Sequence, residues 1–140
     1  MTISNWLRCI GVVCCTGLAG CPEQRVAWLK EGSREGSITI EFGREDRHRS
    51  AITFGVLRAY RCAGGTRSYR EVLVWDIQSL GKPIELEEVT IGLVPQGLVQ
   101  TTRGDLSSPG CLHIESGIAA VTLDIRTDGS VVVLAQSGKD

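Results

Sequence analysis

The chain has 140 residues, 42% of them hydrophobic and 22% charged, the length and balance of one globular domain. Its formal net charge of -1 argues against a nucleic-acid binder, which needs a basic footprint to meet phosphates. Seventeen glycines and one methionine disfavour a helical protein, and six cysteines call for a redox explanation.

The first segment reads MTISNWLRCIGVVCCTGLAGC. Arg8 precedes an apolar run from Cys9 to Ala19, about half the ~20 residues that a membrane-spanning helix needs. The run ends in Leu18-Ala19-Gly20-Cys21. The stretch resembles the lipobox of Gram-negative bacterial lipoproteins, in which small residues before the cysteine let a peptidase reach the backbone and the thiol accepts a diacylglycerol. Cys9, Cys14 and Cys15 follow Arg8, Val13 and Cys14, none of them a small residue of the kind that pattern has. That resemblance implies a signal peptide over residues 1–20 and acylation of Cys21, palmitate included. With Pro22 rather than Asp after the cysteine, it also implies an outer-membrane anchor facing the periplasm. Several acyl chains, at roughly 0.8 kcal/mol per buried methylene, hold where one would not. A plain secretory signal and a buried apolar strand are the alternatives.

On the lipoprotein reading three thiols leave with the signal and Cys21 carries lipid, so Cys62 and Cys111 remain. In an oxidising compartment two such thiols tend to pair. A bridge across about 50 residues contributes on the order of 4 kcal/mol in the chain-entropy picture. Two separately buried thiols are the alternative, and two cysteines without a His or carboxylate cluster make a poor zinc site.

Residues 21–36 read as a lipidated N-terminus and tether. Lys30-Glu31-Gly32-Ser33 is nearly repeated as Arg34-Glu35-Gly36-Ser37, a charged, Gly-rich spacer. Val26 to Leu29 interrupt it, with room for a short edge strand. From Ser37 to Asp140 the apolar period becomes two, the mark of half-buried strands. Ile38, Ile40 and Phe42 alternate with polar residues, then Ile52, Phe54 and Val56, with a loss of phase at Gly55. Tyr69, Leu73, Trp75 and Ile77 share one face of the next strand. Ile84 and Leu86 alternate, slip at Glu87-Glu88, and resume as Val89 and Ile91. Val121, Leu123 and Ile125 lead into Asp128-Gly129, a hairpin turn, and Val131 to Ala135 return. Seven or eight such strands predict an all-β fold, an antiparallel β-sandwich of immunoglobulin-like or transthyretin-like shape. A small β-barrel is the alternative.

The sequence carries no nucleophile elbow, zinc-helix motif or phosphate-binding glycine loop. His48 lies in a charged turn, and His113 stands on a predicted strand as a surface or half-buried residue. Glu87 and Glu88 are adjacent and point to opposite faces of a strand. No cofactor, metal site or enzymatic activity is expected. Charge is unevenly distributed: residues 44–70 hold seven Arg against Glu45 and Asp46, while 71–91 hold five acids against Lys82. Either these segments pair across a solvated face or they steer a charged protein partner. Arg47, Arg49 and Arg67 are the candidate partner-binding residues.

The phrase Val74-Trp75-Asp76-Ile77, followed by Thr90-Ile91-Gly92-Leu93-Val94-Pro95-Gln96-Gly97, is similar to a pattern in small lipoproteins of Gram-negative bacteria. The Cys-Pro start before a compact β-domain resembles periplasmic immunity lipoproteins of type VI secretion systems. The resemblance implies a non-enzymatic module that meets the membrane through its anchor and binds a protein, a toxin first. A structural lipoprotein of the envelope or secretion apparatus is the second expectation, and a cell-wall or saccharide enzyme the third.

Overall fold

Alternation of apolar and polar side chains builds eleven strands within residues 25–44, 49–62 and 72–136, the parts that the computed structural model describes. They are β1 (Arg25–Leu29), β2 (Thr39–Arg44), β3 (Ile52–Phe54), β4 (Val56–Arg61), β5 (Val72–Ser79) and β6 (Ile84–Leu86). After them come β7 (Glu88–Thr90), β8 (Leu98–Arg103), β9 (Gly110–Glu115), β10 (Ala120–Ile125) and β11 (Val131–Gln136). The larger sheet has six strands in the order β11-β10-β9-β4-β5-β8, the smaller three in the order β1-β2-β7, and β3 pairs with β6 as a ribbon. Every pairing is antiparallel. The sheets do not close into a barrel, so the fold is a β-sandwich.

Eleven strands stand where seven or eight were expected, and the reason is local. Gly55 separates β3 from β4, and Glu87 separates β6 from β7, so two expected strands are each split in two. At the second break the Phe42 N–H donates to the Glu87 carbonyl at 2.9 Å, carrying the smaller sheet past the gap.

The stretch read as a tether is also partly in the fold. Arg25 to Leu29 pair residue by residue with Arg44 to Ile40, and Ala27 is buried in the core. Arg34 bridges to Ser130, and the Glu35 N–H donates to the Gly129 carbonyl at 2.9 Å. The short edge strand allowed at Val26 to Leu29 is thus present as β1, and residues within 21–36 join the β-structure.

One core joins the layers. Ile40 and Phe42 of the smaller sheet, Phe54 of the ribbon, and Leu57, Trp75, Ile114 and Leu123 of the larger sheet are all essentially inaccessible. Phe42 and Phe54 meet edge to face, ring centres 4.9 Å apart, an arrangement that aligns ring edge with ring face. Burying each such side chain stabilises by about 1.5–3 kcal/mol before the entropy of ordering it. Register shifts interrupt the larger sheet at β4–β5, β5–β8 and β10–β11. Across β4 and β5, Ala59 faces Trp75 but Tyr60 faces Leu73, so Val74 is an extra residue. Val74 and Trp75 are both buried, and Leu73 does not share the face of Trp75 as expected. Tyr69 lies outside the described residues. At the far edge, Leu123 faces Val133 and Thr122 faces Ala135, which leaves Leu134 as a bulge in β11.

Gly129 takes φ 82° after Asp128, and the Arg126 N–H donates to the Ser130 carbonyl at 2.9 Å. Thr127-Asp128-Gly129 is thus a three-residue hairpin loop with its glycine in the left-handed region.

Candidate functional site

Cys62 follows β4 directly and Cys111 is the second residue of β9, the strand beside it. Their Cα atoms are 5.2 Å apart and the sulfurs are bonded across a separation of 49 residues. The Cys62 N–H donates to the Cys111 carbonyl at 3.3 Å, so the bridge extends the β4–β9 pairing by one step. Cys21, the expected lipid acceptor, lies outside the described residues, as do Arg47 and Arg67.

Arg49 is described, and it sits over the outer face of the smaller sheet. Its Nη2 is 2.8 Å from Glu88 Oε2 and 3.8 Å from Glu87 Oε2, and its Nε is 3.6 Å from Glu41 Oε1. Lys30 Nζ reaches the same Glu88 oxygen at 2.8 Å, and Trp28 Nε1 donates to Glu41 Oε2 at 2.7 Å. The lysine hydrogen bond first, then the charges of Lys30 and Arg49, outweigh desolvation and hold Glu88 below the usual carboxylate range. A cation from the basic segment therefore pairs with acids from the acidic one. Arg49 remains 45% exposed, so it can still present part of its charge outward.

A second polar band crosses the outer face of the larger sheet. Arg58 Nε donates to Asp76 Oδ2 at 2.9 Å, and Thr101 Oγ1 donates to Asp76 Oδ1 at 2.8 Å. Asp76 is nearly buried, and its hydrogen bond is the main reason the Arg58 guanidinium is held more firmly protonated than usual. Next to Arg58 in register stands Glu115, whose Oε2 lies 3.3 Å from His113 Nε2. His113 Nδ1 is 2.8 Å from Thr122 Oγ1, and the Tyr60 ring centre is 6.4 Å from that of His113. Both imidazole nitrogens are thus engaged by neighbours on β9 and β10. Sequence reading counted Arg58 and Asp76 only as members of charged segments. Their opposite signs were the available signal, but the β4–β5 register that joins them was not.

Deeper, Arg61 is 18% exposed; its Nε donates to the Asp105 carbonyl at 3.1 Å, while neither Nη atom has a hydrogen-bond partner. Asp105 itself caps its own turn, accepting from the hydroxyl and N–H of Ser108 and the N–H of Ser107. These bonds, the Ser108 hydroxyl foremost, push its carboxyl down to about 2. Among the described residues no group of three or more His, Cys, Asp and Glu could hold a metal ion. No helix long and apolar enough to cross a membrane occurs among the described residues.

The last feature is a groove of about 700 Å³ lined by Trp28 to Ser33 on one side and by all of β11 on the other. Among the described strands β11 is paired with β10 and β1 with β2, so each stands at the end of its sheet's strand order, and Arg34 bridges Ser130 just before β11. Leu134 is 58% exposed there, while Leu29, Val131 and Val133 pack down on the core.

The chain matches no protein-family model, no curated protein and no solved structure.

Proposed function

We propose that this protein is an exported, lipid-anchored module of the cell envelope that works by binding another protein. It is held through Cys21 at the outer membrane and faces the periplasm. Its leading role is to neutralise a toxin delivered by a type VI secretion system. The Cys62–Cys111 bridge is the observation that carries this reading. Stable structural disulfides belong to oxidising compartments, and an exported chain that spends Cys21 on lipid is left with these two thiols. The binding role is supported by the two charged bands on the outer faces of a rigid β-scaffold, whose exposed cations and carboxylates suit electrostatic steering of a protein partner.

Metabolic labelling with an alkyne fatty acid is the test of the anchor. The protein should be labelled and Cys21→Ser should not be; label on Cys21→Ser overturns the reading. For the role, cells lacking this protein should be killed by one periplasmic toxin that co-purifies with it in fixed stoichiometry. Survival of such cells when challenged with every co-purifying protein would refute the immunity role.

A further inference from the structure

We infer that the end of the sandwich at which β1 starts rests on the bilayer surface, with Leu80 and Ile118 inserted among the lipid headgroups. This rests on the reading of Cys21 as the lipid anchor and names what the anchored domain does with the membrane beside it. Register fixes which turns share that end. Val56 pairs with Gln78 and Arg58 with Glu115, and the Ser79 N–H donates to the Gly55 carbonyl at 2.9 Å. The turns that follow β5 and β9 therefore lie together at the start of β4. At the other end Arg34 bridges to Ser130 of the β10–β11 hairpin, and Gly92, past the end of β7, lies against Leu106 of the β8–β9 loop. β1 lies over β10 and β11 and runs toward that hairpin. It starts, therefore, at the end that carries the β5–β6 and β9–β10 turns.

Chain length then brings that end to the bilayer. Arg25 is already paired with Arg44, so four residue steps separate the sheet from Cys21. Four steps span at most about 14 Å, whereas a six-residue strand is about 20 Å long. The charged stretch read as a spacer does not lengthen this link, because it is taken up in β1 and in the bridge at Arg34. The two turns present what a headgroup layer takes. Leu80 is 76% exposed and Ile118 53% exposed, each in a turn made by a neighbouring glycine, Gly81 and Gly117. Neither tip side chain is buried in the fold, so folding alone does not call for an apolar residue there. Only β4 stands between β5 and β9, which puts the two tips about 10 Å apart along one rim. With the entry of the chain on the facing sheet, also about 10 Å away, they make three points of support and hold the domain at one tilt. Lys82 and Arg44 are exposed at this end against the acid Glu85, a balance that suits anionic headgroups.

The test places the intact acylated protein in vesicles of phosphatidylethanolamine and phosphatidylglycerol, with and without bromine on the acyl chains. Tryptophan replaces one exposed apolar residue at a time, in Leu80→Trp, Ile118→Trp and, as the control at the opposite end, Leu93→Trp. Brominated lipid should cut the emission that the two tip variants add to the wild type about twofold or more, as for rings about 5–10 Å into the headgroup boundary. The emission added by Leu93→Trp should not change, which rules out the affinity of tryptophan for interfaces as the cause. Equal quenching at all three positions, or none at Leu80 and Ile118, overturns the inference. So does a blue shift of the tip emission that grows with the protein-to-lipid ratio and ignores bromine, which would assign the tips to a second copy. Fatty-acid labelling of Cys21 is read on the same samples. Labelled protein with unquenched tips fails this inference alone, whereas absence of label overturns the anchor and this inference with it.

Discussion

Arg58 and Asp76 meet at 2.9 Å across the β4–β5 pairing, but the arginine side chain is 45% exposed and the aspartate 6%. The two partners are therefore not equivalent. Removing Asp76 leaves a guanidinium that water can solvate. Removing Arg58 leaves a buried carboxylate that keeps the Thr101 hydroxyl bond but loses its countercharge, and an unpaired buried charge is costly. Arg58→Ala should lose about 2–3 kcal/mol and Asp76→Asn about 1 kcal/mol. Urea unfolding of the two variants gives the comparison. Equal losses would mean that water reaches Asp76 freely.

Much of this scaffold was legible because its signals are local. The alternation of β2 and β10, the phase loss at Gly55, the slip at Glu87-Glu88 and the Asp128-Gly129 turn all coincide with element boundaries. What stayed hidden depends on distant partners. Nothing near Val74 marks a bulge, since Val74 and Trp75 are equally apolar and only the Ala59 and Tyr60 register reveals it. β1 is legible only as room for a short edge strand; that Ala27 pairs with Phe42 and Leu29 with Ile40 is not. His113 reads as an ordinary strand residue. That Thr122 lies opposite it follows from the length of the β9–β10 turn, which fixes register as no propensity can.

The disulfide gives a second prediction. Its separation of 49 residues corresponds to about 4 kcal/mol of loop-closure entropy, set against measured losses of about 2–5 kcal/mol for native bridges. Cys62→Ala with Cys111→Ala should fall in that range. Adding reductant to the wild type should bring its unfolding midpoint to that of the double variant. Free-thiol counting on unfolded, unreduced protein should find neither Cys62 nor Cys111 reactive. A double variant as stable as the wild type would show that the β4–β9 pairing suffices without the bridge.

Acid should act through three carboxylates. Asp105 is lowered to about 2 by its bonds to Ser108 and Ser107. Glu88 is lowered chiefly by the Lys30 bond, and Asp128 by the Ser130 hydroxyl and N–H. A carboxyl with a lower pKa in the folded than in the unfolded chain adds stability above its unfolded value. That stability is lost as pH falls through the folded value. Unfolded Asp and Glu titrate near 3.8 and 4.5, so stability should be level at neutral pH and decline from about pH 5 toward pH 2. Asp105→Asn should flatten the lowest part of that curve. All three groups are substantially exposed, so salt will reduce each effect. An Asp105→Asn curve that superimposes on the wild type would assign the acid loss elsewhere.

Arg49 faces three carboxylates, from Glu41, Glu87 and Glu88, at 3.6, 3.8 and 2.8 Å. Exposed pairs of this kind are usually worth about 0.2–1 kcal/mol each, and their sum is less than additive because one guanidinium serves them all. Arg49→Gln should therefore lose at most about 1 kcal/mol. Arg49→Glu does more, because it removes the cation and adds a fourth negative charge beside the other three. About 1–2 kcal/mol is expected at low salt, shrinking toward the Arg49→Gln value as the Debye length falls to about 3 Å near 1 M salt. Lys30 stays on Glu88 in both variants, which keeps part of the network neutralised. These two variants also separate Arg49's structural pairing from any part in steering a partner. If Arg49→Gln keeps the unfolding midpoint within that margin but slows association, its exposed charge acts on the partner. If both variants lose stability and neither slows association, its charge belongs to the smaller sheet alone.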